Sequence, residues 1–408
     1  MHKEKHRLQV LEPDYWEDLV CSGGACSDTC CQGWDIVIDA ATCARYEKSR
    51  MPEFRQLLAR AVVHHQEEEA DGTVADVACI RMGKGQRCLF LRNDGLCMIQ
   101  RRTEEKNLSE TCRTYPRVIH AWNGADADRS LCVSCPEAAR LILLHRGHLR
   151  FVSREIDSAE LDGLRLTADG ERLAAQNHGL RQRLIRILQD DRLPVRRRLR
   201  LANRFFWQVG GLAGHHEERA FLAAAAAGEE LREQAARQRT PLAAEKTGWL
   251  AAVEGLVRLR LHKPALPAPF RQRLEAALRR WQVDAAGRRH FREERELYDM
   301  FLLPRVNGLW ENYLVNAVFK NVFLLEERAD SCTAWFRIVL QFSLARFLLL
   351  AAFAGRPDDF GTADMVLLLQ QLTRAVGHDA QYLEQAASWV RHGEPAAPAM
   401  RSFCEQML

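Results

Sequence analysis

Cysteine is almost absent from the larger part of this chain. Eleven of the 13 cysteines lie at or before Cys135, and only Cys332 and Cys404 follow. No secretory signal stands at the start, because the charged Met1-His-Lys-Glu-Lys-His-Arg7 is followed by no apolar run or small-residue cleavage site. The protein is therefore expected to stay in the cytoplasm, where crowded cysteines more often bind metal or do redox chemistry than form disulfides. No apolar run is long enough for a membrane helix; the longest, Ile338 to Ala354, is interrupted by Gln341 and Arg346 and reads as a buried core helix. Charge of one sign is also lacking. Lys and Arg number 58 against 54 Asp and Glu, and the net +4 over 408 residues is too small a bias to argue for nucleic acid, so no nucleic-acid partner is expected and any basic site must be local. There is no internal repeat of solenoid period either; Ala223 to Ala227 is merely alanine-rich helix.

What is present is a chain 47% hydrophobic and 27% charged, enough to bury a substantial core in two or three domains. A cysteine-rich region over residues 1–140 precedes a region over 141–408 in which Leu, Ala, Arg and Glu recur at helical spacing. Prolines punctuate the second region, and Leu261 to Pro269 is its best internal boundary. The expected fold is mainly α: a small, irregular, metal-nucleated N-terminal domain packed on a larger all-helical domain.

Within the first region, Leu11-Glu-Pro13-Asp-Tyr15-Trp16 suggests an irregular strap packed on the metal site. Trp34-Asp-Ile36-Val-Ile38-Asp39 alternates as a short strand, and Asp39 opens a helix through Cys43. Residues 64–76 have the composition of a solvated hairpin or loop. An Asp94-Gly95 turn folds Cys88 to Cys97 back so that both sulfurs can face one centre.

The thiols are spaced Cys21-x4-Cys26-x3-Cys30-Cys31, then Cys88-x8-Cys97-x14-Cys112, then Cys135. Thiolates suit zinc or the iron of iron–sulfur clusters, four completing either site. Paired Cys-x2-Cys knuckles of a zinc ribbon are missing. So is the Cys-x3-Cys-x2-Cys of radical S-adenosylmethionine enzymes, since Gly33 stands at the required third position. The structural alternative is a set of buried, unreactive cysteines. Cys43, Cys79 and Cys132 read as bystanders, Cys332 and Cys404 as structural.

Four ordered motifs then carry a resemblance: Cys21-x4-Cys26-x-Asp28-x-Cys30-Cys31-x-Gly33-Trp34; Cys88-x-Phe90-Leu91 with Asp94-Gly95-x-Cys97-x-Ile99; Leu108-x2-Thr111-Cys112-x2-Tyr115-Pro116-Arg117; and Ser134-Cys135-Pro136-Glu137. Together they resemble the flagellin lysine N-methylase family, as does the later Trp310-Glu311-Asn312-Tyr313-Leu314-Val315-Asn316. The cysteine-rich part is similar to domains described as iron- or zinc-chelating. The resemblance implies a cytoplasmic enzyme that transfers methyl groups from S-adenosylmethionine to lysine side chains of flagellin and carries a 4Fe-4S cluster. It implies metal ligands drawn from Cys21, Cys26, Cys30, Cys31, Cys88, Cys97, Cys112 and Cys135. That is twice what one cluster needs, so either some only support the ligands or there are two centres.

Methyl transfer needs a neutral lysine amine held in line with the sulfonium methyl. Asp28 and Tyr115 are candidate proton acceptors, weighed against hydrogen-bonding support of the metal site. Arg113 and Arg117 flank Tyr115 and can neutralise a cluster or hold the cofactor carboxylate, against the alternative of surface arginines. The strand, Gly-rich turn and helix of an ordinary methyltransferase are absent, since Gly210-Gly211-Leu-Ala-Gly214 reads as a helix end or loop. His64-His65 and His215-His216 read as solvated. Arg196-Arg197-Arg198 and Arg258-x-Arg260 are a candidate basic groove, more often a solvated face. The apolar stripes around Trp310 and Trp335 read as core, with Tyr313 and Asn316 as a lower-ranked substrate site. The reading from another class is a non-enzymatic metal-binding scaffold or a redox or iron sensor using the same cysteines.

Overall fold

In the computed structural model the described residues are 7–33, 36–48, 52–68, 74–122, 126–157, 166–168, 171–210, 230, 233, 248–262, 266–281, 285–321, 323, 328–392 and 396–408. Trp34, residues 211–216 and Ala223 to Ala227, singled out above, lie outside them.

Two sheets organise the N-terminal part. The larger has strand order β7-β1-β6-β5-β8, from β1 (Arg7–Pro13), β5 (Arg117–Trp122), β6 (Asp126–Leu131), β7 (Phe151–Asp157) and β8 (Leu166–Ala168). Strand β1 pairs in parallel with β6, Val10 opposite Ala127, and antiparallel with β7, Val10 opposite Arg154. The period-two pattern of β1 explains its place: Leu8, Val10 and Glu12 turn inward. Burial of the Glu12 side chain is matched by Arg129 at 2.5 Å and Arg154 at 2.8 Å. The smaller sheet, β2 (Ile36–Ile38), β4 (Val74–Ile80) and β3 (Val62–Glu68), sets Ile36 and Val62 against Ile80.

Two expectations change here. Leu11 to Pro13 belongs to β1, an interior strand between β7 and β6, not to an irregular strap, because its pairing partners lie far along the chain. The part after residue 140 is not wholly helical, since β7 and β8 complete the sheet begun by β1. The short strand at Ile36–Ile38 and the following helix α1 (Ala40–Glu47) match the sequence pattern, with the Asp39 carboxylate accepting from the Thr42 N–H at 2.9 Å. Strands β3 and β4 overlap the 64–76 hairpin expected from composition.

The rest is helical: α2 (Pro52–Ala61), α3 (Met98–Arg102), α4 (Glu110–Thr114), α5 (Pro136–Leu143), α6 (Glu171–Leu188), α7 (Val195–Gly210), α8 (Trp249–Leu261), α9 (Ala268–Arg280), α10 (Ala285–Leu297), α11 (Leu303–Lys320), α12 (Arg328–Gly355), α13 (Thr362–Leu372), α14 (Ala380–Arg391) and α15 (Ala396–Met407). The Pro-rich stretch near 261–269 separates α8 from α9, and both helices pack into the same core. Helix α12 runs through that core with Trp335, Val339, Phe342 and Leu349 buried, each such side chain contributing about 2 kcal/mol of transfer free energy. The segment Cys332–Gly355 is long and apolar enough to cross a membrane, but most of it is covered by the protein's own helices. On α11, Trp310, Tyr313, Leu314 and Val318 are core residues.

The basic groove expected as one possibility around Arg198 and Arg260 does not form. Arg198 pairs with Glu311 and Arg260 lies 3.3 Å from Asp379, all four on helices or caps of the core. Burial of a guanidinium demands such a partner.

Candidate functional site

The eight motif cysteines sort into two groups. Around the core of Ile36, Ile80, Phe90, Ile99 and Leu108 gather Cys31, Cys88, Cys97 and Cys112. The Cys88 N–H donates to the Cys31 carbonyl at 2.9 Å. Burial, with Cys112 and Cys97 nearby, pushes the Cys88 thiol up to about 12; burial, with Cys97 and Cys30 nearby, puts Cys112 at about 11. The Cys30 thiol is hydrogen-bonded to its neighbour Cys31 and pushed up by it and by burial, against the pull of the Arg374 guanidinium. The second group is Cys21, Cys26 and Cys135: burial lifts Cys135 to about 11, with Cys26 and Cys21 adding to it. Cys135 packs on the helical core rather than on the Ile36 core, and caps α5 with Pro136 at its first position.

A tight turn ties the two cysteine segments together. Gly95 has φ +76°, and a Cβ there would meet the main chain of Gly24 at 3.1 Å; a Cβ on Gly24 would meet the Asp94 carbonyl at 2.6 Å. Only glycine at both positions lets the Cys88–Cys97 turn rest on the Cys21–Cys26 loop. The Asp94 carboxylate accepts from the Leu96 N–H at 3.2 Å, as an Asp-Gly turn requires.

Among the described residues, no three His, Cys, Asp or Glu side chains close around one ion-sized point. The donor chemistry nevertheless fits a thiolate-bound cluster. Thiols kept protonated first by burial and then by one another lose both penalties on ligating cationic iron.

The helical part grips the first cysteine loop. Arg374 follows α13 in a π-helical turn, Thr373–Gly377. Its guanidinium lies 2.6 Å from the Asp28 carboxylate and donates to the carbonyls of Thr29, at 2.6 Å, and Gln32. Gln370 donates both to Asp28, at 2.8 Å, and to the Ser134 carbonyl, at 2.6 Å. Asp28 is thus fully engaged in holding the loop.

Beside these groups lies a cavity of about 610 Å³, walled by β5, the loop after β6, the end of α11, α12 and the π-helical turn. At its lining stand Tyr115, Cys132 and His378. Ser134 Oγ donates to Cys132 Sγ at 3.1 Å and is 2.8 Å from His378 Nε2 and 2.9 Å from Tyr115 Oη. Burial works against a charged Cys132, yet Lys320 and the hydrogen bond to His378 outweigh it and bring the thiol down to about 5. Burial has the opposite outcome at Tyr115, whose phenol is pushed well up and stays protonated. Tyr313 and Asn316 line a small adjoining space of about 30 Å³ that shares Lys320, Gln341 and Thr373 with the cavity.

Sequence reasoning set Cys132 aside and missed His378 and Lys320. Cys132-x-Ser134 immediately before a motif cysteine was the available signal; the partners on α11 and beyond α13 left none. Arg117 lines the cavity, whereas His64, on β3, borders a separate surface cavity with Tyr46 and Arg55.

A family model described as the FliB lysine N-methylase C-terminal domain matches residues 181–395. The flagellar biosynthetic protein FliU of Salmonella muenchen is 31% identical over 137 residues, 33% of this chain and 78% of that protein. The lysine-N-methylases of Salmonella choleraesuis (strain SC-B67) and Salmonella typhimurium (strain LT2) are each 30% identical over 137 residues, 33% of this chain and 33% of theirs. The match thus spans about a third of the length of both lysine-N-methylases. No solved structure matches. With more than half of its length fitted by that model, the chain belongs to the FliB lysine N-methylase family.

Proposed function

We propose that the chain is a lysine N-methyltransferase that takes methyl groups from S-adenosylmethionine and transfers them to lysine ε-amines of flagellin in the cytoplasm. The observation that carries this reading is family membership through residues 181–395, the part that closes the cavity over Tyr115 and Cys132. In-line displacement needs an uncharged amine and a site from which water is largely removed. Tyr115 is protonated and donates to Ser134 Oγ, and Asp28 is held by Arg374, so neither acts as the base.

In the same reading the cysteine-rich part holds a 4Fe-4S cluster. Cys88, Cys97, Cys112 and one of Cys30 and Cys31 form the four-thiol set; Cys21, Cys26 and Cys135 form a separate three-thiol set. A bound cluster supplies electron transfer or an open iron for a ligand, and fastens a loop-rich segment. What supports the assignment is the grouping of the thiols and their soft-donor chemistry.

The test is co-expression with flagellin, followed by intact and peptide mass measurement, with iron and acid-labile sulfide assayed on protein purified without air. Added methyl masses on flagellin lysines together with iron and sulfide are expected. An unmodified flagellin beside a cluster that bleaches with oxidant would replace the enzyme reading with a redox sensor.

A further inference from the structure

Four buried arginines among the described residues face carboxylates: Arg181 with Asp128, Arg198 with Glu311, Arg260 with Asp379 and Arg374 with Asp28. The cavity beside the thiols is lined by cations that are less buried than these. Arg117 at the head of β5, which is exposed, and Lys320 at the end of α11 and Arg337 in α12, both half-buried, line it; none pairs with a carboxylate among the described residues, although Lys320 acts on the nearby Cys132 thiol. The Arg117 guanidinium rests 5.9 Å over the Trp16 ring, and Arg337 Nε is buried without an acceptor. A buried guanidinium nitrogen without an acceptor is costly unless something supplies one.

The remaining lining is complementary in kind. Glu110 is the cavity's carboxylate, while Val118, Ile119, Ile338 and Leu383 give an apolar wall. Three cations, one carboxylate and an apolar wall within about 610 Å³ suit a small molecule that carries a carboxylate and an ammonium at one end and a flat apolar body at the other. From this geometry we propose that the cavity binds the methyl donor, its carboxylate on Arg337, Lys320 and Arg117, its amino group on Glu110 and its adenosyl part against Ile338 and Leu383. The inference rests on the methyltransferase reading and adds to it a location and a mode of binding.

The probe is S-adenosylhomocysteine, titrated calorimetrically into the 408-residue chain, alongside 5′-methylthioadenosine, which lacks the amino-acid end. Wild-type protein is expected to bind both. Arg337→Gln and Lys320→Gln are each expected to weaken S-adenosylhomocysteine by about tenfold or more, the loss of a charge-assisted contact, and to leave 5′-methylthioadenosine unchanged. Two variants guard against one that misfolds, and a thermal melt of each checks the fold. If wild-type protein binds but both variants bind S-adenosylhomocysteine equally well, the placement is overturned and the methyltransferase reading survives. If wild-type protein binds neither compound, both fall. Selective weakening beside an unmodified flagellin keeps the placement and removes the flagellin substrate.

Discussion

Arg374 and Asp28 sit 2.6 Å apart at the junction of the helical part and the first cysteine loop, 346 residues apart in sequence. The guanidinium is buried and spends its remaining donors on the Thr29 and Gln32 carbonyls, so one side chain fixes both the side chain and the backbone of the loop. Arg374→Ala should cost about 2–3 kcal/mol, below the full value for a buried pair because Asp28 is partly exposed. Urea unfolding measures the loss, and limited proteolysis should cut first within residues 26–32. Arg374→Lys keeps the charge but not the fork, and should recover less than half of the loss. An unchanged unfolding midpoint in both variants would rule the clamp out.

The two thiol groups predict separable metal losses. Cys97→Ser should remove the metal of the four-thiol set and Cys135→Ser that of the three-thiol set, with the double variant holding none. Iron per chain after anaerobic purification is the readout. If Cys135→Ser leaves the iron content intact, the second group is structural.

Glu311 is the sole carboxylate facing buried Arg198 in the described structure, and its other oxygen is 2.5 Å from His148 Nδ1. Glu311→Gln would leave the guanidinium with neutral acceptors alone, the amide oxygen and the Leu188 and Leu193 carbonyls at 3.0 and 2.6 Å. The expected cost is about 3 kcal/mol, read from chemical denaturation. Residual stability equal to wild type would mean that Arg198 finds another anion.

Acid should destabilise the fold through His120 and His178. Burial holds both imidazoles below their ordinary pKa, at His120 despite an acceptor in the Lys320 carbonyl and the charge of Asp128. The unfolded chain therefore takes up protons that the folded chain refuses. This contribution to stability is whole above the ordinary histidine value of about 6.5 and is lost as pH falls below it. Melting temperature measured between about pH 7.5 and pH 5.5 should drop, and His120→Gln with His178→Gln should flatten that drop.

Local pattern carried the sequence reading where geometry was local. The Asp39 cap, the Asp94-Gly95 turn and the stripe of Trp310, Tyr313 and Leu314 were legible because each depends on residues within one turn or one helix. The five-stranded sheet was not legible: β1 is short and half polar, and its partners lie at 126–131 and 151–157. The approach of the two cysteine segments rests on a glycine-on-glycine contact between Gly24 and Gly95 that spacing does not encode. Cys132 looked idle because Lys320 and His378, which change its chemistry, come from helices nearly two hundred residues or more downstream.

The parallel pairing of β1 with β6 has a consequence for the order of synthesis. Residues 7–13 leave the ribosome first, but the strands that flank them emerge only after the whole stretch from Asp14 to residue 125, Cys21 through Cys112 included. Closing so long a loop costs little more than closing a shorter one, so entropy does not forbid the wait. The nascent cysteine segment is thus fully exposed before the scaffold that brackets it can close. Metal delivered during translation would meet open thiols, and metal delivered afterwards would meet Cys88, Cys97 and Cys112 already packed on the Ile36 core, with Cys21 and Cys30 still exposed.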